Sequence, residues 1–250
     1  MQKKTYLCTI NDRQNNMETI VTTVTNELQA RSSAEKREIF PRFFKTGKGE
    51  YGEGDKFLGV TVPHVRAVAK QHKDLTLQEI KPLMESEWHE VRLCALLMMV
   101  EKSRKADEKL RKQLFDCYLS MTEHINNWDL VDLSCPTLVG EYLLDQSHER
   151  LYRLAQSKLL WDNRIAIVST IAFIRKGQLE DTYALCDIMM QHPHDLMHKA
   201  CGWMLREAGK RNPQRLYDYV DRHRQGMPRT MLRYAIEKFA PEERASLMKR

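Results

Sequence analysis

Glycine and proline are scarce, with 10 Gly and 8 Pro in 250 residues. An all-β sandwich or barrel needs far more turn-forming residues than this, so that class is excluded. No apolar run approaches the roughly 18 residues of a membrane span. The N-terminus also lacks the apolar stretch of a signal peptide, so a cytoplasmic, nucleoid-associated protein with no membrane partner is expected. The six cysteines (Cys8, Cys94, Cys117, Cys135, Cys186, Cys201) never form a C-x-x-C pair. Buried reduced thiols are therefore expected, rather than a disulfide framework or a structural zinc. An apolar fraction of 42% beside a charged fraction of 30% carries no bias toward disorder.

What the chain does have is long stretches of Leu, Met, Ala, Glu, Lys and Arg, which favour helix. Apolar periodicity predicts helices near 16–30, 34–45, 63–72, 76–85, 88–104, 107–121, 127–144, 148–157, 161–176, 180–191, 194–210, 213–224 and 228–238. Ser33 and the prolines 63, 213 and 228 are start signals. Residues 1–13 read as an irregular tail and 14–250 as one domain. Arg92, Trp128, Arg164, Lys199 and Arg233 recur about every 35 residues, each early in a helix with apolar residues behind it. A helix-pair repeat of about that period marks an α-solenoid, so the fold class is all-α, a curved stack of HEAT-like repeats. Equivalent residues would then line one concave face, a track of Arg, Lys and Trp suited to a phosphate backbone. Charge is lopsided in the same sense. From Lys199 onward there are 13 Lys/Arg against 6 Asp/Glu, while the whole chain is only +6. A basic end is a footprint for polyanions, or simply a solvated basic face.

Three apparent motifs lack their context. Gly47-Lys48-Gly49-Glu50-Tyr51-Gly52 matches G-x-G-x-x-G, but no strand precedes it and no helix opens from it, so residues 46–54 read as a turn-rich loop. His192, His194 and His198 lie close together without an acidic partner at zincin spacing, and His89-Glu90 has no second His. No metal and no cofactor are expected.

Asn126-Asn127-Trp128-Asp129-Leu130-Val131-Asp132 is the most unusual stretch. On a helix Trp128 and Asp132 project from one face, an aromatic plane beside a carboxylate. The plainer reading is a core Trp with aspartates serving as caps. Trp161 with Arg164, and Trp203 with Arg206, repeat an aromatic–cation pair at i, i+3.

Asn127-Trp128-Asp129-Leu130-Val131-Asp132 resembles the active-site segment of the AlkD family of DNA alkylpurine glycosylases. Trp161-Asp162-Asn163-Arg164-Ile165-Ala166-Ile167 resembles that family's W-x-x-R-x-A-I segment. Lys199-Ala200-Cys201-Gly202-Trp203-Met204-Leu205-Arg206-Glu207 is similar to its K-A-x-G-W-x-L-R-E segment. Phe57-Leu58-Gly59-Val60 with Pro63 resembles its F-L-G-[IV]-x-x-P segment. The four occur in family order over residues 43 to 240, and the Gly-rich stretch 46–54 departs from the pattern. The resemblance implies HEAT-like repeats acting as a monomer on double-stranded DNA that contains alkylated purines. It implies Asp132 as the catalytic carboxylate and Trp128 and Trp203 as aromatic residues beside the lesion nucleotide. Arg164 is implied as a basic residue of the same cleft, anchoring a flanking phosphate, and Arg206, Lys199, Arg92 and Arg233 are expected to bind DNA. The expected reaction is hydrolysis of the N-glycosidic bond of N3- or N7-alkylated purines, leaving an abasic site. The alternatives are a non-catalytic relative that recognises distorted or branched DNA, and a helical-repeat scaffold for protein partners.

Overall fold

The computed structural model describes residues 19–249. They are helical, and a single bridge between Lys56 and Trp88 is the sole β pairing among them. Contacts divide the chain into two compact units, Met1–Leu130 and Val131–Arg250, where the sequence reading has one domain from residue 14. The tail expected over 1–13 lies outside the described residues.

The first unit holds α1 (19–29), α2 (Ala34–Phe43), α3 (Val62–Gln71), α4 (Leu77–Met84), α5 (His89–Ser103) and α6 (Glu108–Leu119). Ser33 caps α2 by accepting from the Lys36 N–H, and Pro63 sits in the first turn of α3, as the start signals predict. Helix α5 is buried around almost its whole circumference, with α3, α4 and α6 packed against it. That explains its weak amphipathicity, since a helix covered on every side needs no polar face. Gly59 fixes the approach of the Phe57–Val60 segment to α2. Its φ is +81°, and an added Cβ would lie 2.6 Å from both the Ser33 oxygen and the Arg37 nitrogen, so only glycine fits.

The second unit contains a π-helical turn (Pro136–Glu141), α8 (Glu149–Ala155), α9 (Leu160–Arg175), α10 (Glu180–Ile188), α11 (Asp195–Arg211), α12 (Pro213–His223), α13 (Arg229–Ala235) and α14 (Pro241–Met248). The π turn, α9, α11 and α13 pack in succession as one layer, with α8, α10 and α12 behind them. This is a run of stacked helix pairs, the α-solenoid class that the 35-residue period predicts. The core of α9 includes Ile165, Ile167, Val168 and Phe173, all essentially inaccessible, and each contributes roughly 1.5–3 kcal/mol by burial. Gly202 lets α13 approach α11, because a Cβ there would meet the Met231 carbonyl at 2.6 Å.

The helix predicted over 127–144 is interrupted. A short helix α7 (Trp128–Asp132), which contains the boundary between the units, ends in a turn, and the chain resumes as the π turn at Pro136. Pro136 has no N–H to give the Asp132 carbonyl and its ring crowds that carbonyl, so a regular helix cannot continue there. Helix α14 lies beyond the predicted set. It opens with Pro241, and Glu243 accepts from the Ala240 N–H. Pro228 is the N-cap of α13 rather than a first-turn residue.

Candidate active site

In the first unit the residues before and at the start of α7 are tied down by the sequence His89-Glu90-Val91-Arg92, whose three polar side chains each do a different job. Glu90, 1% exposed, accepts the N–H groups of Leu58, Gly59 and Val60 at 2.9, 2.8 and 3.0 Å. His89 lies between two carboxylates, with Nδ1 2.9 Å from Asp55 and Nε2 2.9 Å from Asp129. Burial pushes the imidazole down, but the charge and hydrogen bonds of Asp129 and Asp55 outweigh it and raise its pKa to about 9. Burial pushes Asp55 up, yet hydrogen bonding to His89 and the charges of Arg92 and His89 leave it below the usual carboxylate range. Arg92 ion-pairs with Asp55, bonds Asn126, and donates to the carbonyls of Ser86 at 2.7 Å and His124 at 3.1 Å.

Arg92 is therefore not a surface cation. Its side chain is 5% exposed, and Asp55, Asn126 and the carbonyls of Ser86 and His124 hold its guanidinium inside the protein. A guanidinium early in a repeat helix looks the same in sequence whether it faces solvent or a carboxylate 37 residues away.

Trp128 is half-buried, stacked on Phe44 at 5.4 Å between centroids, with the edge of Phe43 at 5.8 Å. Phe43 is 56% exposed, so an open aromatic surface forms here that the sequence reading does not include. The Phe43-Phe44 pair at the end of α2 was the available signal. Asn127 holds this corner by donating to the Phe44 carbonyl and accepting from the Trp128 N–H.

The Gly-rich loop leads into Asp55. It closes on itself, since Glu50 and Glu53 accept the N–H groups of Gly47 and Gly49, and the Gly52 N–H bonds the Lys45 carbonyl. Two of the N–H groups that a phosphate would need thus already face carboxylates, which agrees with reading it as a loop.

In the second unit Asp132 meets Arg164. The guanidinium donates from Nε to Oδ1 at 2.9 Å and from Nη2 to Oδ2 at 2.7 Å, and its Nη1 reaches the Leu196 carbonyl at 3.1 Å. The Asp132 side chain is 14% exposed and that of Arg164 is 7%. Bidentate pairing fixes the plane of the carboxylate, which a flexible ammonium would not do. Three of the Arg164 donors are thus spent on Asp132 and the Leu196 carbonyl, an arrangement that orients the carboxylate.

Leu196 is in the first turn of α11, so Arg164 links α9 to the helix that carries Lys199, Trp203 and Arg206. Lys199 is 43% exposed and paired with Asp195. Trp203 is half-buried, about 10 Å further along the helix axis than Leu196. It lines a groove of about 540 Å³ with Ile171, Ile174, the cations Arg175, Lys210 and Arg211, and Glu207, which pairs with Lys210. Arg206 is occupied by Glu237, whereas Arg233 is exposed. Trp161 is core, 4% exposed. The histidine trio bonds backbone: His192 and His194 accept N–H groups at Nδ1, and His198 Nε2 lies 2.6 Å from the His192 carbonyl. The other nitrogen of His192 faces Asn163, whose amide binds the carbonyls of Leu154, Ala155 and Ser157.

Against known proteins, a family model described as DNA alkylation repair enzyme matches residues 24–239. Among solved structures the chain is similar to one described as a predicted DNA alkylation repair enzyme from Enterococcus faecalis. The TM-score is 0.65 at 14% identity, covering 84% of this chain and 98% of that one. No curated protein matches.

Proposed function

The chain belongs to the DNA alkylation repair enzyme family, and from that premise we propose that it is a monofunctional glycosylase removing N3- or N7-alkylated purines from duplex DNA. What supports this reading is the Asp132–Arg164 pair, an oriented and still reachable carboxylate at the end of α7.

An alkylated purine of this kind is cationic, so its glycosidic bond is already weakened. When the bond breaks, the base takes the electron pair and leaves neutral, while C1′ of the deoxyribose becomes oxocarbenium-like. Asp132 stabilises that cation. A water oxygen adds at C1′ and its proton passes through the carboxylate to solvent, leaving an abasic site. Trp128, one helical turn before Asp132 on α7, offers a π-face to the developing positive charge and shields it from bulk water. Trp203, about 10 Å beyond Leu196 along α11, packs instead against the DNA strand beside the lesion. Arg164 keeps Asp132 in one orientation throughout, and Lys199 and Arg233 contact the DNA backbone.

The test is a single-turnover assay on a duplex bearing one 7-methylguanine, with alkali cleavage reporting abasic sites. Wild type is expected to cleave, and Asp132→Asn to lose at least about 100-fold in rate, the scale of one lost electrostatic stabiliser, while holding DNA affinity. Good DNA binding with no excision above the spontaneous rate would instead identify a non-catalytic DNA-binding relative.

A further inference from the structure

The last fifth of the chain holds the net positive charge, with 13 Lys/Arg against 6 Asp/Glu, but many of its cations are already occupied. Arg206 and Lys238 pair with Glu237, Lys210 with Glu207, and Arg215 with Glu180. Arg211 donates to the Arg175 carbonyl. Arg224 donates to the carbonyls of Ser246 and Lys249, and Arg229 to that of Met248. These last bonds serve the C-terminal end of α14, whose carbonyls have no partners within the helix. Leu247 is buried beneath it, 1% exposed.

Arg233 and Arg244 are different. Neither has an ion-pair or hydrogen-bond partner for its guanidinium among the described residues, and both are exposed. They line one groove of about 510 Å³ between α13 and α14, together with Ile236, Pro241, Ala245 and Met248, and among the described residues no carboxylate lines it. Two like charges sharing one groove repel, and an anion between them removes the repulsion. A guanidinium pairs with phosphate through two parallel N–H donors, and the apolar floor suits the carbon face of a sugar.

We infer that the α13–α14 groove binds a phosphodiester of the DNA backbone, with Arg233 and Arg244 as its two cationic walls. This rests on the reading of the protein as acting on duplex DNA. It adds Arg244 and the apolar floor to the DNA contacts expected from the sequence. A lipid headgroup offers the same phosphodiester chemistry, so the experiment separates the two sources.

Binding is measured by anisotropy on an undamaged duplex and on the same duplex with one 7-methylguanine, across a salt series, for wild type, Arg233→Gln, Arg244→Gln and Arg244→Glu. Arg153→Glu, at an exposed and locally paired arginine of α8, controls for net charge. The glutamine variants are expected to weaken both duplexes equally, several-fold, and to reduce the log–log salt slope by about 0.9 per lost contact. Arg244→Glu should weaken them further, and Arg153→Glu much less. The groove assignment is overturned if affinity and slope stay at wild-type values, or if Arg153→Glu has as large an effect. It is also overturned if wild type binds phosphatidylglycerol vesicles through these arginines and not the duplex. Normal salt effects without any abasic-site formation would defeat the glycosylase reading and leave this one standing.

Discussion

A buried arginine and an exposed one are identical letters, and at the scale of single residues this difference governs the site. Arg92 and Arg164 both open repeat helices, and both turn inward onto aspartates, at Asp55 and Asp132. Once paired and buried they orient carboxylates, and losing either partner would leave an uncompensated charge inside the protein. His89 is the most pH-sensitive member of this set. Its folded pKa of about 9 lies above the ordinary 6.5. The stability it contributes is therefore complete below about pH 6.5 and is lost as pH rises through 9. The thermal midpoint of the wild type should fall by several degrees over that window. His89→Gln, less stable throughout, should lack that fall, and a wild-type midpoint flat from pH 6.5 to 9.5 would disprove the charged clamp. Asp55 titrates in the opposite sense. Its contribution is present above the ordinary carboxylate pKa and disappears in acid.

At the scale of elements, helices and their order were legible because apolar spacing and caps are local. The misses have local causes too. Pro136 breaks the predicted 127–144 helix, and the short α14 has too few buried residues, Leu247 alone, to show an apolar stripe. Joints between elements were less legible. The Phe57–Val60 segment is held by the buried Glu90 carboxylate and by Gly59 against α2. Gly59→Ala should cost about 1–3 kcal/mol from backbone strain and the clash with Ser33 and Arg37. In a chain of this size that lowers the thermal midpoint by roughly 2–12 °C. An unchanged midpoint would mean that α2 can move aside.

For the whole molecule, the 40 Lys and Arg overstate what DNA can meet, since many of them are internally paired. Salt dependence should therefore be modest for so basic a protein, carried by exposed cations such as Arg233 and Arg244. Arg164→Ala should slow excision by at least about 10-fold by freeing Asp132 to reorient, with the salt slope of DNA binding unchanged. A slope reduced by about 0.9 in that variant would return Arg164 to the role of phosphate anchor.

Sequence alone determined the all-α class, the repeat period and the segment Asn126–Asp132 as the place to look. Each of these depends on residue type and on spacing within a turn or a repeat, which survive without knowledge of long-range contacts. The tertiary structure decided which charges face outward. It paired His89 with Asp55 and Asp129, Arg164 with Asp132, and Phe43 with Trp128, partners 32 to 85 residues apart in the chain. Such pairs form only when the packing of apolar helix faces brings distant segments together, and no local pattern records them.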